Sequence, residues 1–273
     1  MRRVVTALIT PFAGNKIDFD SLHQLIEAQN QSDVVGVVAL GTTAESNLLT
    51  DSERLGLLRF VKDNCKKKVI AGISAISTNN SMQLAQSYSD VGADALLVTT
   101  PYYVGCSNLG LVKHYEMVYK CCKTPLILYN VPHRTKVDVD VGTVVEISKR
   151  CNLLGVKECS NDDKKLLQYR KNNIKIWCGN DCNMEKFEQL GYVDSISVTS
   201  NLCPNLTVYG RGNKTLGSFA RLCAISNPSV VKYALFCAGL IKSCQVRLPL
   251  TTPTKGVKKA VADLVKNNWE TLR

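Results

Sequence analysis

A chain of 273 residues, 45 % of them hydrophobic, fits one large domain, or one barrel with a small appendage, and can bury a sizeable core. The formal charge of +11 suggests nucleic acid as a partner, yet no groove-reading helix, aromatic stacking motif or finger accompanies it, so that class is set aside. Twelve cysteines without paired CxxC spacing and three scattered histidines (His23, His114, His133) offer no metal site; the thiols read as reduced, several of them in the core.

The first apolar run, Val4–Ile9, is stopped by Thr10-Pro11 and lacks a cleavage site, so Arg2 and Arg3 are not read as part of a signal peptide. No stretch is long enough to cross a membrane, and a cytoplasmic address is expected. Further β-branched runs follow at Val35–Leu40, Val69–Ile73, Ala95–Val98, Leu126–Tyr129, Leu153–Val156, Ile174–Trp177 and Ser195–Val198. Continuous rather than alternating apolar runs predict strands buried on both faces, as in a parallel sheet. Between them lie amphipathic stretches of helical length, among them Asp20–Gln31, Ser52–Cys65 and Asn80–Val91, with Asp18, Asp51, Asn79 and Asp138 as expected caps. The Lys66–Lys68 run falls between a helix end and a strand start, where solvated cations are favoured.

Eight strands alternating with helices over about 200 residues predict an α/β fold, a (β/α)₈ barrel in residues 1–204. No GxGxxG follows the first strand, which counts against a dinucleotide-binding sheet. After Pro204 only helical patterns remain, with a start at Asn227-Pro228 and a break at Arg247-Leu248-Pro249. Residues 205–273 are therefore expected to form a small helical appendage.

Functional side chains of such a barrel sit at the C-terminal ends of its strands. There the sequence places Thr42 and Thr43, Tyr103, Tyr129, Arg134, Lys157 and Gly179. Lys157 lies inside an apolar strand; burial lowers a lysine's pKa and frees its amine as a nucleophile, although pairing with Glu158 or another carboxylate at the barrel mouth is an equal alternative. Tyr129 can pass protons or merely pack. Thr42 and Thr43 can cradle a carboxylate or simply turn the chain, and Arg134 can grip a carboxylate or remain solvated. Each signal is modest, but their placement on one face is a coincidence that the bland readings leave unexplained.

Specific motifs stand at those same ends: TALITPF at 6–12, GTTAES at 41–46, TPYY at 100–103, YNVPHRT at 129–135 and GVKE at 155–158. With them the chain resembles the dihydrodipicolinate synthase and N-acetylneuraminate lyase superfamily, and within it the dihydrodipicolinate synthase family. The resemblance implies that Lys157 forms a Schiff base with pyruvate and that no other cofactor is needed. It implies a proton relay through Tyr129, Thr42 and Tyr103, the last lent by a neighbouring subunit of a homodimer or homotetramer. Thr43 is expected to hold the pyruvate carboxylate and Arg134 that of aspartate semialdehyde, with Gly179 and Ile196 lining the pocket through their backbones. The implied reaction yields 4-hydroxy-tetrahydrodipicolinate, which opens the diaminopimelate and lysine branch. Thr42-Thr43 and Arg134 favour this over sialic-acid cleavage. Another pyruvate-dependent lyase or dehydratase of the superfamily, and a catalytically silent metabolite-binding barrel, remain the alternatives.

The chain also departs from the family pattern. Ala44 and Lys136 stand where glycines are usual, and the stretch between Asn201 and Asn227 is short, so one appendage helix is expected to be reduced. Where lysine-inhibited members carry histidines, an asparagine and a glutamate, this chain has Asp51, Arg54, Ile76 and Asn80, while Ser46 and Tyr102 remain. Weak or absent inhibition by lysine is the expectation.

Overall fold

The computed structural model describes residues 1–272. Eight strands form a closed parallel barrel: β1 (Arg3–Ala7), β2 (Gly36–Ala39), β3 (Lys68–Ile73), β4 (Ala95–Thr99), β5 (Leu126–Asn130), β6 (Leu153–Glu158), β7 (Ile176–Cys178) and β8 (Asp194–Ser197). The expected (β/α)₈ architecture is the one observed, with strand bounds shifted by one or two residues. A short hairpin, Phe12–Ala13 with Lys16–Ile17, was not expected.

The reason for the continuous apolar runs is visible in two layers. Val38, Ile70, Leu97, Ile127, Tyr129 and Ile196 fill the barrel interior. Their neighbours in sequence, among them Val37, Val69, Leu96 and Leu128, together with Val156 beside Lys157, pack outward against Leu58, Tyr115, Val144 and Leu166 of the helices. A residue's place in this alternation therefore decides whether it can reach the site.

The surrounding helices are α1 (Phe19–Gln31), α2 (Asp51–Asn64), α3 (Thr78–Asp90), α4 (Asn108–Cys122), α5 (Val141–Arg150), α6 (Asp163–Lys171) and α7 (Met184–Gln189). Asp18 caps α1 as expected. The other three expected caps are corrected. Thr50, not Asp51, caps α2 in a reciprocal box with Glu53; Ser77, not Asn79, caps α3; and Asp140, not Asp138, caps α5. A cap oxygen must reach the backbone N–H groups of the first turn from an extended residue just outside it, and Thr50, Ser77 and Asp140 occupy that place. Asp138 instead accepts from Asn130 Nδ2 at 2.8 Å and pairs with Lys165. In the lysine run, Lys67 donates to the carbonyls of Ser32 and Val34, and Lys68 pairs with Asp94.

Four helices follow: α8 (Pro204–Tyr209), α9 (Lys214–Ile225), α10 (Ser229–Cys237) and α11 (Lys255–Leu272), the last broken at Asn268. The six-residue α8 lies against the barrel, where Val208 packs on Val4 and Val34 and its carbonyl accepts from Arg2 N at 3.1 Å. Phe219, Val230, Val231, Leu235, Val261 and Val265 share one apolar cluster with Ile9, Leu25 and Leu202 of the barrel. Each such side chain contributes roughly 1.5–3 kcal/mol on burial, which keeps the region docked. No helix among the described residues is long and apolar enough to cross a membrane.

Candidate active site

Lys157 and Tyr129 face each other across the β5–β6 ladder as register partners. Both point into the barrel, and the Lys157 Nζ lies 4.2 Å from the centre of the Tyr129 ring. Lys157 is 7 % exposed and forms no ion pair among the described residues. Burial holds its pKa below the ordinary lysine value, against the opposing pull of Cys159 and Asp181. Burial likewise pushes the Tyr129 phenol far above its usual value, with Arg134 and a hydrogen bond to Thr42 pulling it back. Amine and phenol are thus both biased toward their neutral forms, the forms that attack a carbonyl and pass a proton.

The alternative pairing of Lys157 with Glu158 does not occur. Adjacent residues of a strand face opposite sides, so Glu158 points outward into the layer beneath the helices. There it accepts from Asn130 Nδ2 at 2.9 and 3.0 Å, from Tyr169 Oη at 3.2 Å and from Ser160 N at 2.7 Å, with Lys165 at 3.5 Å.

Above β2, Thr42–Ala44 forms a single tight helical turn. The first N–H groups of such a turn have no partner within it and can receive a carboxylate. Ala44 does not need a positive φ, so the methyl group is tolerated; the following Glu45 carries the left-handed conformation at φ 55°. Lys136 also has a positive φ of 59° and is exposed to solvent.

A cavity of about 130 Å³ opens at the C-terminal mouth of the barrel. Tyr129, Arg134, Cys159 and Gly179 line it from the barrel, and Cys223 and Asn227 roof it from the appendage. Arg134 sits on the short Pro132–Thr135 turn with its guanidinium outside any ion pair among the described residues. Gly179 has a steric reason to be glycine: a Cβ there would overlap the Cys159 thiol and stand 3.1 Å from Lys157 Cε. Ile196 lies deeper, in the interior cluster, and Val198 two residues on lines the cavity instead. Tyr103 is 93 % exposed at φ 74° and lies outside the cavity of its own chain, so any role in the relay requires a second subunit.

A separate cavity of about 500 Å³ gathers Asp51, Arg54, Ile76, Asn80 and Tyr102, with Asn47 and Ser74. Ser46, expected with them, is buried beneath, and its carbonyl accepts from Arg54 at 3.0 Å. Arg54 is in turn paired with Asp51.

Among the residues at the cavity to which the sequence assigned no role are Cys159, Asp181, Val198, Cys223 and Asn227. Cys159 and Asp181 closely follow recognisable strand ends, which was the available signal. Asp181 accepts from Val198 N at 2.9 Å and Thr199 N at 2.7 Å, holding the β8 loop. Asn227 donates to Thr43 Oγ1 at 3.0 Å from 184 residues away, and no local pattern announces such a contact.

Comparison with known proteins agrees with this fold. The model of the dihydrodipicolinate synthetase family matches residues 1–268. A 4-hydroxy-tetrahydrodipicolinate synthase of Pelagibacter ubique is 36 % identical over 93 % of this chain and 94 % of its own, and one of Kosmotoga olearia is 35 % identical over 96 % and 98 %. Among solved structures, a chloride-inhibited dihydrodipicolinate synthase of Acinetobacter baumannii complexed with pyruvate superposes with a TM-score of 0.89. It is 31 % identical, covering 97 % of this chain and 98 % of that one.

Proposed function

The chain belongs to the dihydrodipicolinate synthetase family and is an enzyme, and from that premise we propose that it condenses pyruvate with L-aspartate 4-semialdehyde to give 4-hydroxy-tetrahydrodipicolinate. The observation that carries this reading is the buried Lys157, without an ion pair among the described residues, set against Tyr129 at the mouth of the barrel. In the proposed sequence the Lys157 amine adds to the pyruvate ketone and water leaves, giving the Schiff base. Loss of a methyl proton gives an enamine, whose carbon attacks the aldehyde while Tyr129 supplies the alkoxide's proton. The amino group of the second substrate then attacks the imine carbon, closes the ring and releases Lys157.

Thr43 holds the pyruvate carboxylate in this scheme, and Arg134 that of the semialdehyde. Thr42 links Tyr129 to Tyr103 of a neighbouring subunit, so the active species is a homodimer or homotetramer. The reading carries a cytoplasmic address, which twelve unpaired cysteines fit. Borohydride reduction in the presence of pyruvate tests it: a stable pyruvate adduct on Lys157 is expected, and its absence would refute the assignment. A coupled assay comparing aspartate semialdehyde with sialic acid distinguishes this reaction from that of related lyases.

Two further results are expected. Replacing Arg134 by Ala removes a charge-assisted grip worth about 1.5–3 kcal/mol, so KM for the semialdehyde should rise roughly ten- to hundredfold. Pyruvate trapping should be unchanged, and a matching loss there would count against the role. Free L-lysine is expected to inhibit weakly or not at all, because Ile76 and the Asp51–Arg54 pair offer a diamino acid poor partners. Half-inhibition at submillimolar lysine in a steady-state assay would contradict this.

A further inference from the structure

Behind the Thr42–Ala44 turn lies an ion pair that no step of the proposed chemistry uses. Glu45 and Lys232 have side chains that are both 0 % exposed and are bonded to each other. Lys232, on α10, also donates to Gln245 O at 2.8 Å and stands 4.0 Å from the centre of the Phe12 ring. The second Glu45 oxygen accepts from Arg247 N at 2.8 Å. The Arg247 guanidinium then reaches Glu53 Oε1 at 2.5 Å and Oε2 at 2.7 Å, Leu48 O at 2.9 Å and Asn15 O at 2.9 Å. The turn is held elsewhere too, by Thr10 Oγ1 donating to Ala44 O at 2.7 Å and by Asn227 donating to Thr43.

A buried ion pair is a poor source of stability, because desolvating both charges offsets most of their attraction and apolar side chains of similar size serve as well. What such a pair supplies is one geometry. Glu45 is a non-glycine residue in the left-handed region, a conformation that persists only where its surroundings fix it. Of the partners that fix this turn, Thr10 comes from the barrel, and Lys232, Arg247 and Asn227 come from the C-terminal helical region.

We propose that Glu45 and Lys232 are positioning residues, through which the C-terminal region sets the orientation of Thr43 toward the pyruvate carboxylate. The inference rests on the reading of Thr43 as the pyruvate-binding residue. It makes residues 205–272 part of the substrate site rather than an appendage to it.

The test compares full-length wild type, Lys232→Met, the double variant Glu45→Gln with Lys232→Met, and Lys242→Met as control. Lys242 sits in the same region on an exposed pair with Asp20 and should behave as wild type. Lys232→Met leaves a lone buried carboxylate and will lower the melting temperature. The double variant removes both charges, while the amide oxygen that replaces the carboxylate can still accept from Arg247 N, so its melting temperature should return close to wild type. Both variants should need about tenfold or more pyruvate for half-saturation, in borohydride trapping and in KM, because displacement of a positioning group by a fraction of an ångström is felt at the substrate. The turnover number should change far less. Wild-type pyruvate affinity in the double variant, or a double variant that does not fold, would make the pair purely structural and overturn the proposal. Failure of the wild type itself to trap pyruvate would overturn the proposed reaction, and the cradle with it.

Discussion

Replacing Lys157 by Ala is expected to remove the borohydride-trapped pyruvate adduct entirely and to lower turnover by about 10⁴-fold or more, the scale on which loss of a covalent nucleophile is felt. No other lysine should take over. Of the buried lysines, Lys232 is bonded to Glu45 and Lys165 to Asp138, whereas Lys157 forms no ion pair among the described residues. The variant should fold, since it removes a costly buried polar group and leaves no buried charge without its partner among the described residues. Mass spectrometry of the trapped peptide settles the matter. An adduct of unchanged yield at another lysine would transfer the role there. The pH dependence follows from the same burial. Its depressed pKa leaves more of the Lys157 amine neutral near pH 7, and pyruvate capture should fall as pH drops because the amine becomes protonated. The midpoint of that fall should lie below the ordinary lysine value of 10.5.

The second large effect is expected at Tyr129. Tyr129→Phe keeps the ring over Lys157 and the packing of the interior cluster, and removes only the hydroxyl. A positioned acid–base group contributes about 10²–10⁴-fold, so kcat should fall within that range while Schiff-base trapping with pyruvate alone survives, slowed. Equal loss of trapping and turnover would place the hydroxyl in the first step only. Unaltered turnover would reduce Tyr129 to a packing residue, the bland alternative its strand position allowed.

The barrel was legible because eight two-faced strands leave a strong local signal: runs such as Val69–Ile73 and Leu126–Tyr129 are apolar throughout, and parallel pairing demands it. The site was legible to the extent that each residue closes a strand. Lys157 and Tyr129 stand at adjacent ends, and the fold brings adjacent ends together. What strand position could not decide was the partner of Lys157. Glu158 is nearest in sequence, yet the pleat sends it to the opposite face. Cap positions were similarly indistinct, because at Thr50-Asp51 and at Ser77 to Asn79 several suitable residues stand side by side and only backbone conformation selects one.

By itself, then, the amino-acid sequence determined the fold class, the strand ends and the residue types gathered there, all of which depend on periodicity and on one rule of barrel construction. Only the tertiary structure decided how the turn after β2 is held. Glu45 finds Lys232 187 residues on, and Thr43 finds Asn227 184 residues on, in a region whose own helical pattern says nothing of the barrel. Such contacts are chosen by packing of whole elements, Ile9, Leu25 and Leu202 against the last helices, and they acquire chemical meaning only after that docking has occurred.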